Sequence, residues 1–219
     1  NIGHVYMKQA HYQQARPYFQ RAYTLAERIG DDPLLGVVLH NLGDLATSSD
    51  KRDLQEAELY FNRSLLMAEQ IDDREYLSRW NADLALVLIE LQDIPGAAQR
   101  AARALSIARA MHNTPCAGYA LVSIGTLRIA QARAAATHKN SIALACLNRA
   151  HRTLQHAIAL PGLEVETTTK CRIALAEALA LSGQHEQAHA QASLAMEEAR
   201  KYELGELVKL SQSILIETP

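Results

Sequence analysis

An alanine-centred pattern recurs five times along this chain, and self-similarity at a nearly fixed period constrains a fold more tightly than composition does. In the segment YQQARPYFQRAYTLA, which begins at Tyr12, the key alanine is Ala15. It recurs as Ala57, Ala97, Ala143 and Ala188, at intervals of 42, 40, 46 and 45 residues. Four residues on stand Phe19, Phe61, Ala101, Leu147 and Ala192; seven on, Ala22, Ser64, Ala104, Ala150 and Ala195. Eleven on come Ala26, Ala68, Ala108, Leu154 and Ala199. Offsets of 0, 4, 7 and 11 trace one face of an α-helix. Small side chains on that face let a second helix approach closely.

The second helix lies upstream of each repeat. NIGHVY places Ile2, Gly3 and Tyr6 at spacings matched by Leu42, Gly43 and Ala46, and then by Leu84, Ala85 and Leu88. Ile124, Gly125 and Arg128 follow, and finally Leu175, Ala176 and Leu179. Each unit is therefore an antiparallel helix pair. Composition agrees, with 10 Gly and 6 Pro in 219 residues and an abundance of Ala, Leu, Glu, Gln and Arg. GDDP at Gly30–Pro33 supplies a helix-ending glycine and a proline suited to a first turn, and NTP at Asn113–Pro115 repeats the device with a threonine cap. The fold class is all-α.

L-G-x-x-Y followed by A-x-x-x-F-x-x-A closely resembles the tetratricopeptide repeat (TPR). The resemblance is fullest in the first unit and departs most in the fourth, where Arg128 replaces the tyrosine and Asn140 takes the place that Tyr12 has before Ala15. It implies an α-α superhelix, a solenoid of five TPR-like helix pairs plus a C-terminal helix, elongated and right-handed. The units run over about 1–31, 32–72, 73–112, 113–160 and 161–202, and the terminal helix over 203–217, as a single array. The period exceeds the usual ~34 residues and is similar to that of long TPR arrays in bacterial multidomain signalling and transcriptional regulators and in kinesin light chains. Gly125 and Ala143 stand 18 residues apart where Gly3 and Ala15 are separated by 12. The fourth hairpin should thus project by under a turn on each arm, carrying Arg133, His138 and Lys139.

One short motif points elsewhere. His185–His189 reads H-E-Q-A-H, the spacing that sets two zinc ligands one helical turn apart. The repeat accounts for it without metal: Ala188 is the key alanine of unit five, and His185 falls in the packing slot held by Tyr12, Leu54 and Ile94. A zinc hydrolase needs a third protein ligand, and no histidine follows His189. No phosphate-binding glycine loop or nucleophile elbow occurs. Cys116, Cys146 and Cys171 form no C-x-x-C pair and read as small buried residues of a reducing compartment. A net charge of −2 and a pI near 6.5 offer no basic field for nucleic acid or anionic membrane. The expectation is a cytoplasmic protein that is not an enzyme, with no metal, no cofactor and no catalytic residues.

In stacked helix pairs the first helix of each unit lines the concave face, and the TPR resemblance implies that a peptide or protein segment lies there. Register puts Asn1, His4, Met7 and Lys8 on this face, then His40, Asn41, Asp44 and Ser48, then Arg79, Asp83 and Leu86. Tyr119, Ser123 and Thr126 follow, and Lys170, Ile173 and Glu177 complete it. His40, Asn41, Asp44, Arg79, Asp83 and Tyr119 are the candidate ligand contacts, with Asn41 holding backbone and Arg79 paired with Asp83 when the groove is empty. The chain opens inside a helix at Asn1, which suggests a piece of a longer protein: the interaction or sensor module of a bacterial transcriptional regulator. An accessory domain of a multidomain enzyme and a self-association module, dimerising through the terminal repeats, are the alternatives.

Overall fold

The computed structural model describes residues 2–48, 52–136 and 140–217, which form eleven α-helices and, among the described residues, no strand. They are α1 (Ile2–Lys8), α2 (Tyr12–Ile29), α3 (Asp32–Ser48), α4 (Leu54–Gln70), α5 (Arg74–Glu90), α6 (Ile94–Ala110), α7 (Thr114–Ala136), α8 (Asn140–Ile158), α9 (Val165–Leu181), α10 (His185–Lys201) and α11 (Gly205–Glu217). Asn1, His138 and Lys139 lie outside the described residues.

Seven connections share one backbone solution. A residue with positive φ ends the helix, and the next N–H reaches the carbonyl five residues back, as in Asp31 to Ala26, Asp73 to Ala68, Asp93 to Leu88 and Leu204 to Ala199. This is the Schellman turn, which satisfies carbonyls that a helix end leaves open. Glycine holds the left-handed position at Gly30 and Gly183, but Ala10, Asp72, Gln92, His112 and Glu203 hold it elsewhere. In four of these turns the following residue caps the next helix. Asp31, Asp73, Asp93 and Asn113 accept from the amides of Leu34, Tyr76, Gly96 and Cys116 at 2.9–3.0 Å. The cap of α7 is therefore Asn113 rather than Thr114, which is already helical.

The alanine face is the core of every pair. All twenty positions at offsets 0, 4, 7 and 11 are buried except Ala22, which is half-buried. The approach is close where the upstream helix carries glycine: a Cβ on Gly43 would stand 2.7 Å from Phe61, and one on Gly125 would stand 2.5 Å from Leu154. Successive helices pack in order, and α5 packs on α7, α7 on α9 and α9 on α11. This is a TPR-like helical solenoid. No helix of the described residues is long and apolar enough to cross a membrane.

Three expectations change. The array is not elongated, because it coils until a Cβ on Gly205, at the start of α11, would lie 3.5 Å from the backbone of Lys8 and Gln9. The fourth hairpin grows almost wholly on one arm: α7 has 23 residues and α8 has 19, against 17 in both α5 and α6. The six extra residues of α7 add about 9 Å, and they do not project freely. Ile129 and Ala132 are buried against α8 and α9, and Arg133 pairs with Glu177 at 2.9 Å. Lastly, His185 is exposed at the start of α10 rather than packed.

Candidate functional site

Inner helices α3, α5, α7 and α9 turn their polar residues toward one another, and five of the six candidate contacts meet there. His40 stands at the centre. Its Nε2 lies 2.9 Å from Asp83 Oδ2 and its Nδ1 lies 3.5 Å from Asp44 Oδ2. Its ring stacks 5.2 Å from Trp80, which in turn stacks 4.5 Å from Tyr76. Asp83 accepts a second hydrogen bond, from the Tyr119 hydroxyl at 2.5 Å. Arg79 does not pair with Asp83. Its guanidinium turns to Glu164, with Nη1 and Nη2 donating to the two carboxylate oxygens at 3.1 and 3.3 Å, and lies 3.9 Å from Glu75. Geometry explains the choice: Asp83 is already held by two donors, and Glu164 offers both oxygens to the guanidinium fork.

Asn41 is the exception among the six. It is half-buried and makes no side-chain hydrogen bond among the described residues.

Lys170 completes the arrangement from α9. Its Nζ lies 5.3 Å from the Tyr119 ring centroid, as does the Arg79 guanidinium carbon, and it pairs with Glu166 at 2.8 Å. Arg79, Tyr119 and Lys170 all stand six residues before the small residue of their units, Ala85, Gly125 and Ala176. One repeat position thus yields a cation–aromatic–cation ladder across three consecutive inner helices. Register had already placed all three residues on this face; their mutual contact depends on how the units stack. Glu164, Glu166 and Trp80 were not among the sequence candidates. Glu164 is the N-cap of α9, yet its side chain makes no capping bond and reaches α5 instead.

The charges follow from this enclosure. Burial works against ionisation of Asp83, but hydrogen bonding and charge from His40, the charge of Lys170 and the Tyr119 hydroxyl hold its carboxyl below the ordinary range. Burial also disfavours the His40 imidazolium, and Asp44 and Asp83 outweigh it, so His40 is raised. Asp44, desolvated between the helices, is pushed up to about 6 in spite of His40. Burial and the Asp83 charge push the Tyr119 phenol well up. His4, by contrast, is lowered by partial burial and by Lys8. No described group of three or more His, Cys, Asp or Glu side chains could hold a metal ion. His185 and His189 are both exposed, and burial pushes the Cys171 thiol up to about 12, far from a reactive thiolate.

A family model described as tetratricopeptide repeat matches residues 1–53. Among solved structures, the chain is similar to BtubC (BKLC) from P. vanneervenii, with a TM-score of 0.57 and 15% identity over 91% of this chain and 78% of that one. At that identity the likeness shows a shared helical-repeat fold. No curated protein matches the chain. Together the repeat match and the fold support a tetratricopeptide repeat array, a type of scaffold that is generally non-catalytic and binds other proteins.

Proposed function

We propose that this chain is a protein- or peptide-binding scaffold whose inner face receives an extended segment of a partner, and that it serves as the interaction or sensor module of a larger cytoplasmic bacterial regulator of transcription. The observation that carries this reading is the ladder of Arg79, Tyr119 and Lys170 on the inner face, and Asn41 of α3 is left without a side-chain hydrogen bond among the described residues. A ring flanked by two cations offers a flat amphipathic platform. A free amide both donates and accepts, as a peptide backbone requires. His40, Asp44 and Asp83 form the polar floor. The partner competes with the chain's own Glu164 for Arg79. That pair is exposed, with 33% and 53% of the two side chains accessible, so little free energy opposes its exchange.

The reading is tested by selecting binders from a displayed random-peptide library with the whole chain, then measuring them against Asn41→Ala and Tyr119→Ala proteins shown to be folded by circular dichroism. Affinity should fall at least about tenfold, as expected for loss of a central aromatic contact. Selected peptides that bind both variants undiminished, but lose binding when Arg133 is changed, would move the binding surface to the fourth hairpin.

A further inference from the structure

We infer that the outer face of α6 and α8 is a second docking surface, and that it takes an acidic segment of a partner protein. The inference does not rest on the inner-face role proposed above.

Charge is balanced over the whole chain but not along it. All 24 aspartates and glutamates lie outside Ile94–Leu163, a stretch that carries 8 of the 22 lysines and arginines. That stretch forms α6, α7 and α8, so these helices hold no acid with which to pair their own arginines. On α8, Arg149, Arg152 and His156 follow one another at spacings of three and four, share one stripe and are all exposed. Arg109 is exposed in the last turn of α6. Among the described residues Arg109, Arg149 and His156 make no ion pair or side-chain hydrogen bond, and Arg152 donates only to the carbonyl of Asn148. Acids from outside the stretch reach Arg103 and Arg133, through Glu69 and Glu177. They do not reach this patch.

The other seams between outer helices show what is missing here. Glu69 of α4 pairs with Arg103 of α6 at 2.6 Å. Between α2 and α4 the Tyr23 hydroxyl donates to Glu27 and accepts from Arg63 at 3.0 Å. In each seam the glutamate stands eight residues after Phe19 or Phe61, and the arginine two residues after Phe61 or Ala101. Helix α8 is set differently. Gly43 meets Phe61, four residues after its key alanine, whereas Gly125 meets Leu154, eleven after its own. The longer fourth hairpin thus carries α8 along by two turns, and Leu154 takes the place of Phe61. Two residues after Leu154 is His156, and eight after Ala101 is Arg109. By this register the third seam sets Arg109 opposite His156, where the first two set a glutamate opposite an arginine. A carboxylate is the group this position of the repeat holds, and at this seam the chain supplies none.

The same comparison favours protein over nucleic acid. Glu27 and Glu69 show that a carboxylate side chain fits such a seam. Arg149 to His156 spans about 10 Å, which three residues of extended chain cover, and Ile142 on the same stripe adds an apolar contact, 47% exposed. The outer helices on either side, α4 and α10, carry Glu56, Glu58 and Glu69, and Glu186, Glu197 and Glu198. A duplex laid along the outer face would pass from cations onto carboxylates; a short acidic segment ends before them.

The experiment titrates the full chain into a dye-labelled deca-glutamate peptide and into a labelled mixed-sequence DNA duplex, reading anisotropy at about 50 and about 200 mM salt. The peptide should bind more tightly than the duplex and should weaken as salt rises. The double variant Arg109→Gln/Arg152→Gln should lose about tenfold or more in peptide affinity, as charged hydrogen-bond donors are removed. Arg109→Glu, which returns the missing carboxylate to the seam, should lose as much while melting no lower than the parent. All of these positions are exposed, so the fold is not at stake. Four results overturn the proposal: no peptide binding, a duplex bound as tightly as the peptide, affinity lost in Tyr119→Ala but kept in the arginine variants, or a self-association in sedimentation that Arg109→Gln removes, which would make a second copy the occupant.

Discussion

Tyr119 donates its hydroxyl to Asp83 across the contact between α5 and α7, at 2.5 Å, while its ring lies under two cations. The two roles are separable. Tyr119→Phe keeps the ring and leaves a desolvated carboxylate with one donor fewer, so it should cost about 1–2 kcal/mol in urea unfolding. Tyr119→Ala should cost about 3–5 kcal/mol by removing the ring as well. Equal losses in the two variants would show that the hydrogen bond carries all of the effect.

Glycine at the helix crossing is a matter of space. A methyl group on Gly43 would meet the buried Phe61 ring at 2.7 Å, whereas one on Gly205 would make ordinary contacts at 3.5 Å or more. Overpacking costs about 1–3 kcal/mol, against which alanine regains up to about 1 kcal/mol in helix propensity. Gly43→Ala should therefore destabilise the chain, and Gly205→Ala should leave it unchanged or slightly more stable. Thermal unfolding of the two variants side by side checks the contrast.

Backbone conformation sets a second glycine contrast. Gly30 has φ of 67° with nothing near its missing side chain, and Gln92 has φ of 63° in an equivalent turn. A side chain in the left-handed region costs about 1–2 kcal/mol, and glycine's greater freedom in the unfolded chain returns part of that. Gly30→Ala should lose about 1 kcal/mol, and Gln92→Gly should gain about 0.5 kcal/mol. Chemical denaturation midpoints at constant slope give both numbers.

Stability should decline as pH rises from about 5 to 8. The His40 pKa is raised in the folded chain, so its contribution is complete below about 6.5 and is lost as pH climbs through the folded value. Asp44, raised to about 6, acts in the same sense and loses its contribution between about 4 and 6. Asp83 is lowered and acts in the opposite sense: its contribution is present above about 4 and disappears as pH falls through its folded value. The cluster is thus most favourable near a pH of about 4 and weakens from there, first through Asp44 and then through His40. Asp44→Asn should flatten the decline above pH 5 in urea titrations, and a slope unchanged by it would remove Asp44 from the account.

The helix pairs were legible because their signal is local. Ala57, Phe61, Ser64 and Ala68 share a face through the 3.6-residue period alone, whatever surrounds them, and all four are buried. The same register put His40, Asp44, Arg79, Asp83, Tyr119 and Lys170 on the inner face before any contact was known. Five of the turns were not legible, since Ala10, Asp72, Gln92, His112 and Glu203 adopt the left-handed conformation against their own preference, and only the packed helices on either side impose it. Nor was the partner of Arg79. Its pairing with Glu164, and the approach of Gly205 to Lys8, depend on small rotations between units that accumulate along the coil. Sequence determined which residues face inward. Tertiary structure decided which of them meet, because that is a property of the pitch of the whole array and not of any one helix.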